Sequence, residues 1–154
     1  MMGINIRQKG ASGEREICDV LNSIIQQVMR KMDYTAEEVL AAGKTVQRNQ
    51  NQTAVGGNDL TNTFGMSIEV KRQEQLAINT WWKQTTDAAE RNEEHPVLLY
   101  RQNGKKWNCV TMGYVELPNS KFIKIRMAMD FDDFKLWFEN WVGEKLSAGH
   151  EVRT

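Results

Sequence analysis

The chain has 154 residues, 40% apolar and 26% charged, which is enough for one domain with a full core and ordinary for a globular protein. Its 20 Lys and Arg balance 20 Asp and Glu, so no global charge marks a nucleic-acid binder, and any basic surface is local and salt-sensitive. Two cysteines (Cys18, Cys109) and two histidines (His95, His150) lack paired spacing, which speaks against a disulfide scaffold, a structural zinc site and histidine catalysis. No run reaches membrane-spanning length and no apolar leader is present, so a cytoplasmic protein with no membrane partner is expected.

Residues 7–13 read as a small polar leading segment. A long amphipathic helix is expected from about Glu14 to Met32, with Ile17, Val20, Leu21, Ile24, Ile25, Val28 and Met29 on one apolar stripe. Ser12 is its candidate N-cap, and Glu14 and Glu16 fall in its first turn, where the helix dipole favours anions. Thr35-Ala-Glu-Glu38 is a capping box that starts a short helix, with Gly43 as its left-handed stop. A strand is predicted over 44–48, followed by a polar loop over 49–58. That loop is either a solvated connection or a flap that contacts phosphates, with Arg48 and Gln52 as donors.

Residues 57–72 read as two strands joined by a turn over Asn62 to Gly65. A helix from about Thr80 to Asn92, capped by Asn79 or Thr80, presents Trp81, Trp82, Thr85, Ala88 and Ala89 on one face. The tryptophan pair suits core packing more than base stacking. Lys83 and Gln84 lie near the start of that helix, where a phosphate could be received. Val97 to Tyr100 form a continuous apolar run, hence a central strand. Asn103-Gly104 turns it back into a partner over 107–112. A further strand is expected over 122–127, then a last helix from about Phe131 to Leu146, capped by Asp130 or Asp132. Its stripe of Phe131, Phe134, Trp137, Phe138 and Trp141 serves either the core or a dimer interface, and the tail after Ala148 reads as frayed. The whole is one α/β domain over residues 1–154 with a mixed central sheet flanked by helices.

The chemistry concentrates in Asp59 and in Glu69-Val70-Lys71. Alternation along a strand puts Glu69 and Lys71 on the face opposite Ile68 and Val70. With Asp59 beside Glu69, two carboxylates repel unless a cation stands between them, and Mg²⁺ is the hard divalent ion that prefers such oxygens. Lys71 would then orient the attacking water or stabilise charge building on a phosphate. Glu14 is either a dipole-stabilised surface glutamate or a third carboxylate of this site. The competing account of the whole stretch is an edge hairpin with a solvated Glu/Lys pair.

These residues, in this order, resemble the PD-(D/E)XK nuclease superfamily, and more narrowly the archaeal-type and phage Holliday junction resolvases. The motifs are Lys9-Gly10-x-x-Gly13-Glu14-Arg15-Glu16, Arg48 ahead of a glycine-containing loop, Gly57-Asn58-Asp59, Ile68-Glu69-Val70-Lys71, and the strand Pro96 to Leu99. The resemblance implies a restriction-endonuclease-like core over 7–112, whereas the C-terminal strand and aromatic helix over 113–148 have no counterpart in it and are a candidate dimerisation element. It implies Glu14, Asp59, Glu69 and Lys71 as catalytic residues. Glu14, Asp59, Glu69 and the Val70 carbonyl would hold Mg²⁺, for which Mn²⁺ would substitute. Gln84 falls where many members place a glutamine. Lys9, Arg15, Arg48, Gln52, Arg72 and Gln84 are the expected DNA contacts. The implied activity is cleavage of four-way junctions by a homodimer, leaving 5′-phosphates, in DNA recombination and repair in a bacterial or phage-infected cell. Another nuclease on the same core, nicking, restriction-type or repair, is the alternative, and a non-catalytic nucleic-acid-binding protein is the next. Asn58 stands where the superfamily usually has proline. The sequence leaves Glu14 and Glu16 as alternatives for the helix-borne carboxylate.

Overall fold

A computed structural model describes residues 2–50 and 59–153, with side chains from residue 10 onward. The long apolar stripe makes helix α1 (Met2–Lys31), on which Ile17, Leu21, Ile25 and Met29 recur every fourth residue and are buried. The helix does not begin at Glu14. It runs through the segment over 7–13, so Ser12 lies inside it rather than capping it, and Glu14 is not in its first turn. Gly13 explains the difference. A Cβ there would stand 3.2 Å from the Trp107 ring and 3.4 Å from Arg72 Cβ, so the glycine lets α1 lie close against the sheet. That contact outweighs the ~1 kcal/mol helix cost of glycine.

The central sheet holds β3 (Met66–Arg72), β4 (His95–Arg101), β5 (Asn108–Glu116) and β6 (Phe122–Asp130), in that spatial order. β3 and β4 are parallel and joined through helix α3 (Ile78–Asn92), whereas β4–β5 and β5–β6 are antiparallel. One face carries the main core, where Ile68, Val70, Val97 and Leu99 meet α1 and the last helix, α4 (Phe131–Ser147). The other face is covered by α3, with Trp81 on Leu98 and Val110. The fold is α/β, a mixed four-stranded sheet between helices, as the sequence indicates. β4 is central, as its unbroken apolar run requires.

Several local signals hold. Thr35 and Glu38 form the capping box at helix α2 (Ala36–Ala41), and Asp130 caps α4 by accepting from Asp133 N–H at 2.8 Å. Gly104 has φ +72 in the β4–β5 turn. Others give way to packing. Gly43 is no left-handed stop; it sits in a 3₁₀ turn (Ala42–Lys44), where a Cβ would meet the Gln26 side chain at 3.0 Å. α3 begins at Ile78 with neither Asn79 nor Thr80 as cap. The strand expected over 44–48 shrinks to β1 (Gln47–Arg48), which pairs antiparallel with β2 (Leu60–Thr61) as a small second sheet. β5 and β6 run longer than expected, and Phe122, Ile123 and Ile125 are exposed. Of the aromatic stripe, Phe134 and Phe138 are fully buried in the core. The tail is not simply frayed: the His150 ring lies 4.7 Å from Phe64, and Val152 packs on the core.

β1 is too short to hold itself in place. Asn22 on α1 pins it, donating Nδ2–H to Val46 O at 3.0 Å and accepting from Val46 N–H at 2.8 Å. Both groups are buried, so truncation strands a backbone donor and an acceptor without water. Asn22→Ala is expected to cost about 2–4 kcal/mol in urea unfolding, and Asn22→Asp, which sets a buried carboxylate oxygen against the Val46 carbonyl, at least as much. An unchanged midpoint for Asn22→Ala would show that β1 is not held by this side chain.

Candidate active site

The sheet ends on one side at β3, whose outer edge faces β2. Asp59, just ahead of β2, donates its N–H to Ile68 O at 3.2 Å. Its carboxylate Oδ2 accepts from Val70 N–H at 2.7 Å. On a strand, the N–H and C=O of one residue project to the same side, so the Val70 carbonyl also lies on the Asp59 edge. Glu69 points to the face opposite Val70 and is only 7% exposed. It hydrogen-bonds to Asp59, with Lys71 and Glu14 within electrostatic range.

Glu14 reaches this group from α1. Arg48 Nε donates to Glu14 Oε2 at 2.9 Å, which ties α1 to β1. Glu14 also feels Asp59 and Lys71. Its carboxyl is held above the usual range, by burial first, against the lowering pull of the Arg48 hydrogen bond. Glu69 is pushed up to about 9, again by burial first, then by the Asp59 charge and their shared hydrogen bond. Burial and the neighbouring charge thus favour the protonated form of Glu69 beside Asp59.

Glu16 takes a different place. It accepts from Arg101 Nη1 at 3.1 Å and from Trp107 Nε1 at 3.1 Å. Two residues along a helix turn a side chain through about 200°, so Glu14 and Glu16 face away from one another. Glu14, not Glu16, stands with Asp59, Glu69 and Lys71. Arg101 and Trp107, which hold Glu16, had no signal in the sequence, because their partner lies some 90 residues earlier.

The expected DNA contacts are scattered. Arg48 is at the site but engaged with Glu14. Arg72 follows Lys71 on β3 but on the opposite face, where its Nη1 donates to Ser12 Oγ at 3.3 Å. Arg15 is exposed on α1 and Gln84 on α3. The side chain of Lys9, and Gln52 and Gly57-Asn58 entirely, lie outside the described residues.

Among the described residues, no three His, Cys, Asp or Glu side chains already converge as a metal cage. The oxygen set on the β3 edge still fits a hard divalent cation. Asp59 and Glu69 are a close carboxylate pair that needs positive charge, a proton or a metal, between them. Glu14 is turned to Arg48 and would have to exchange that partner to join them.

The family model described as "Phage putative PDDEXK endonuclease" matches residues 5–142. A solved structure of Hjc from Archaeoglobus fulgidus, a Holliday junction resolvase from an archaeal hyperthermophile, is 15% identical, with a TM-score of 0.36 over 71% of this chain and 98% of that one. No match is found among curated proteins.

The raised Glu69 carboxyl sets a pH dependence for the metal-free protein. Glu69 keeps its proton to about 9 when folded and loses it near 4.5 when unfolded. Over that window the folded state binds more protons, so stability falls as pH rises. In EDTA, the melting temperature is expected to decline between about pH 6 and pH 9. Glu69→Gln should flatten that profile and melt about 5 °C or more above wild type near pH 8.5. Parallel profiles for the two proteins would mean that Glu69 is not held protonated in the fold.

Proposed function

The chain belongs to the family of phage PDDEXK endonucleases, and from that premise we propose that it hydrolyses phosphodiester bonds of branched DNA, four-way junctions above all, with Mg²⁺ as cofactor. The observation that carries the catalytic reading is the meeting of Glu14, Asp59, Glu69 and Lys71 on the open edge of β3. The junction preference rests on the motif resemblance set out above. A homodimer follows from the substrate, since a four-way junction offers two symmetric strands to cut.

In this reading Asp59, Glu69 and the Val70 carbonyl would hold the cation, and Glu14 would complete the set. A divalent ion there supplies Lewis-acid stabilisation of a phosphate and of the leaving oxygen, and Mn²⁺ substitutes for it. The Val70 amide keeps the Asp59 carboxylate aimed at the edge. Lys71, on the Glu69 face, holds the attacking water or a non-bridging phosphate oxygen. Glu14 would join such a cation only by giving up Arg48, whose guanidinium would then be available to a phosphate. Lys9, Arg15, Gln52, Arg72 and Gln84 are proposed as further backbone contacts, and such contacts position DNA without reading sequence.

Cleavage of an immobile four-way junction in Mg²⁺, set against linear duplex and single strands, tests the reading. Wild type is expected to make paired symmetric nicks near the branch. Glu69→Ala and Asp59→Ala should lose at least about 10²-fold, and Glu14→Gln should lose activity where Glu16→Gln keeps most of it. Cutting of every substrate alike, still dependent on Glu69, would keep the nuclease and remove the junction preference. Cutting of nothing in Mg²⁺ or Mn²⁺ would end the catalytic reading.

A further inference from the structure

β4 pairs with β5 only from Asn108 to Thr111, whereas β5 pairs with β6 from Asn108 to Glu116. Residues 112–126 therefore leave the sheet as a two-stranded arm. A bare hairpin of this kind gains little stability from itself, so its exposed apolar side chains call for something to cover them. The register sorts them. Tyr114 pairs with Lys124, Met112 with Arg126 and Glu116 with Phe122, and these share the face of Val110, on which α3 packs. Tyr114 is 66% exposed and Phe122 60%. Arg126 Nη1 donates to Asn79 Oδ1 at 2.9 Å, which ties the base of the arm to the start of α3.

We propose that this arm is a second DNA-binding element, holding the phosphate backbone with Lys121, Lys124 and Arg126 and stacking unpaired bases on Tyr114 and Phe122. It deepens the nuclease reading, on which the identity of the nucleic acid rests. Charge complementarity selects the occupant. The chain as a whole is neutral, yet the arm carries Lys121, Lys124 and Arg126 against Glu116 alone. Cations interleaved with exposed aromatics are what single-stranded and opened DNA requires, since every base offers a π-face and every nucleotide a phosphate. A second copy of the chain would bring the same positive charges against these, which opposes self-pairing along β6. The arm is also within reach of DNA bound at the active site. In the sheet register Glu69 is level with Val110, and Tyr114 lies four residues further on, two strands across. Strand rise and spacing put these two Cα atoms roughly 16 Å apart, about five nucleotides of a stacked strand.

Binding in EDTA, where no cutting occurs, isolates the arm. Fluorescence anisotropy on a four-way junction with an unpaired centre should show at least about tenfold weaker binding for Lys121→Ala/Lys124→Ala/Arg126→Ala. Its log–log salt slope should be shallower by about 2–3, one counterion per lost phosphate contact. Tyr114→Ala/Phe122→Ala should weaken binding about fivefold or more with the slope kept. Melting curves confirm that these surface variants fold. Unchanged affinity and slope in both variants would overturn the proposal. So would a shift from dimer to monomer in Val115→Ser/Ile123→Ser with DNA binding intact, which would make the arm an interface between copies. The two readings fail separately. Arm-dependent binding by a protein that cuts nothing in Mg²⁺ would keep the arm and remove the nuclease, and cutting with arm variants that bind normally would do the reverse. A wild type that binds no DNA would remove both.

Discussion

The hydrogen bond from Val70 N–H to the Asp59 carboxylate is the contact on which the site depends. β3 is buried on both faces, so its side chains alone cannot offer a reaction site to a large substrate. The strand has one free margin, its outer edge, where a backbone donor and acceptor would otherwise face water. Asp59 takes the donor and leaves the Val70 carbonyl on the same margin. A carboxylate so placed must lie within contact of Glu69, the next residue back on the strand. The crowding of negative charge is thus a consequence of edge geometry.

That crowding opposes folding. Glu69 is buried against Asp59, and its carboxyl holds a proton to about 9, so the metal-free fold carries the pair at neutral pH only by protonating it. Arg48 and Lys71 offset part of the charge, but Arg48 is spent on Glu14. With Glu69 protonated, two carboxylates stand against two cations among the described residues, and the site turns net negative only when that proton leaves. The rest of the molecule supplies the rigidity that keeps it assembled: Gly13 lets α1 seat on the sheet, and Asn22 fixes the segment that carries Arg48. Sites that need strained electrostatics characteristically draw on stability made elsewhere.

What the sequence disclosed follows the range of the forces involved. Alternation along β3 is local, so Glu69 and Lys71 opposite Ile68 and Val70 could be read directly. The capping box at Thr35, the turn at Gly104 and the cap at Asp130 are likewise decided within four residues. The start of α1 was not legible, because Gly10, Ser12 and Gly13 look like a helix boundary until Trp107 is known to lie against Gly13. Gly43 misled in the same way, since its partner Gln26 is on another helix. The choice between Glu14 and Glu16 turned on Arg48 and on the Arg101–Trp107 pair, contacts 34 to 91 residues away. The arm was invisible because Phe122, Ile123 and Ile125 carry an apolar pattern identical to that of a covered strand.

The aromatic C-terminal helix also bears on the site, through the register of β3. The turn ahead of β3 holds Asn62, Phe64 and Gly65 at positive φ, a conformation that only Gly adopts without cost. It persists because the surroundings fix it: Asn62 Nδ2 donates to Thr45 O at 3.1 Å, and Trp141 Nε1 on α4 donates to Phe64 O at 2.7 Å. Phe64 is itself packed edge-on against Phe138 and faces His150. A slip of one residue at this turn would exchange the faces of β3, sending Glu69 towards the α1 core and Val70 to the other side. α4 therefore does more than fill the core. By clamping the turn over 62–65 it fixes which residues of β3 meet Asp59, and so a helix remote from Glu69 in sequence decides where Glu69 points.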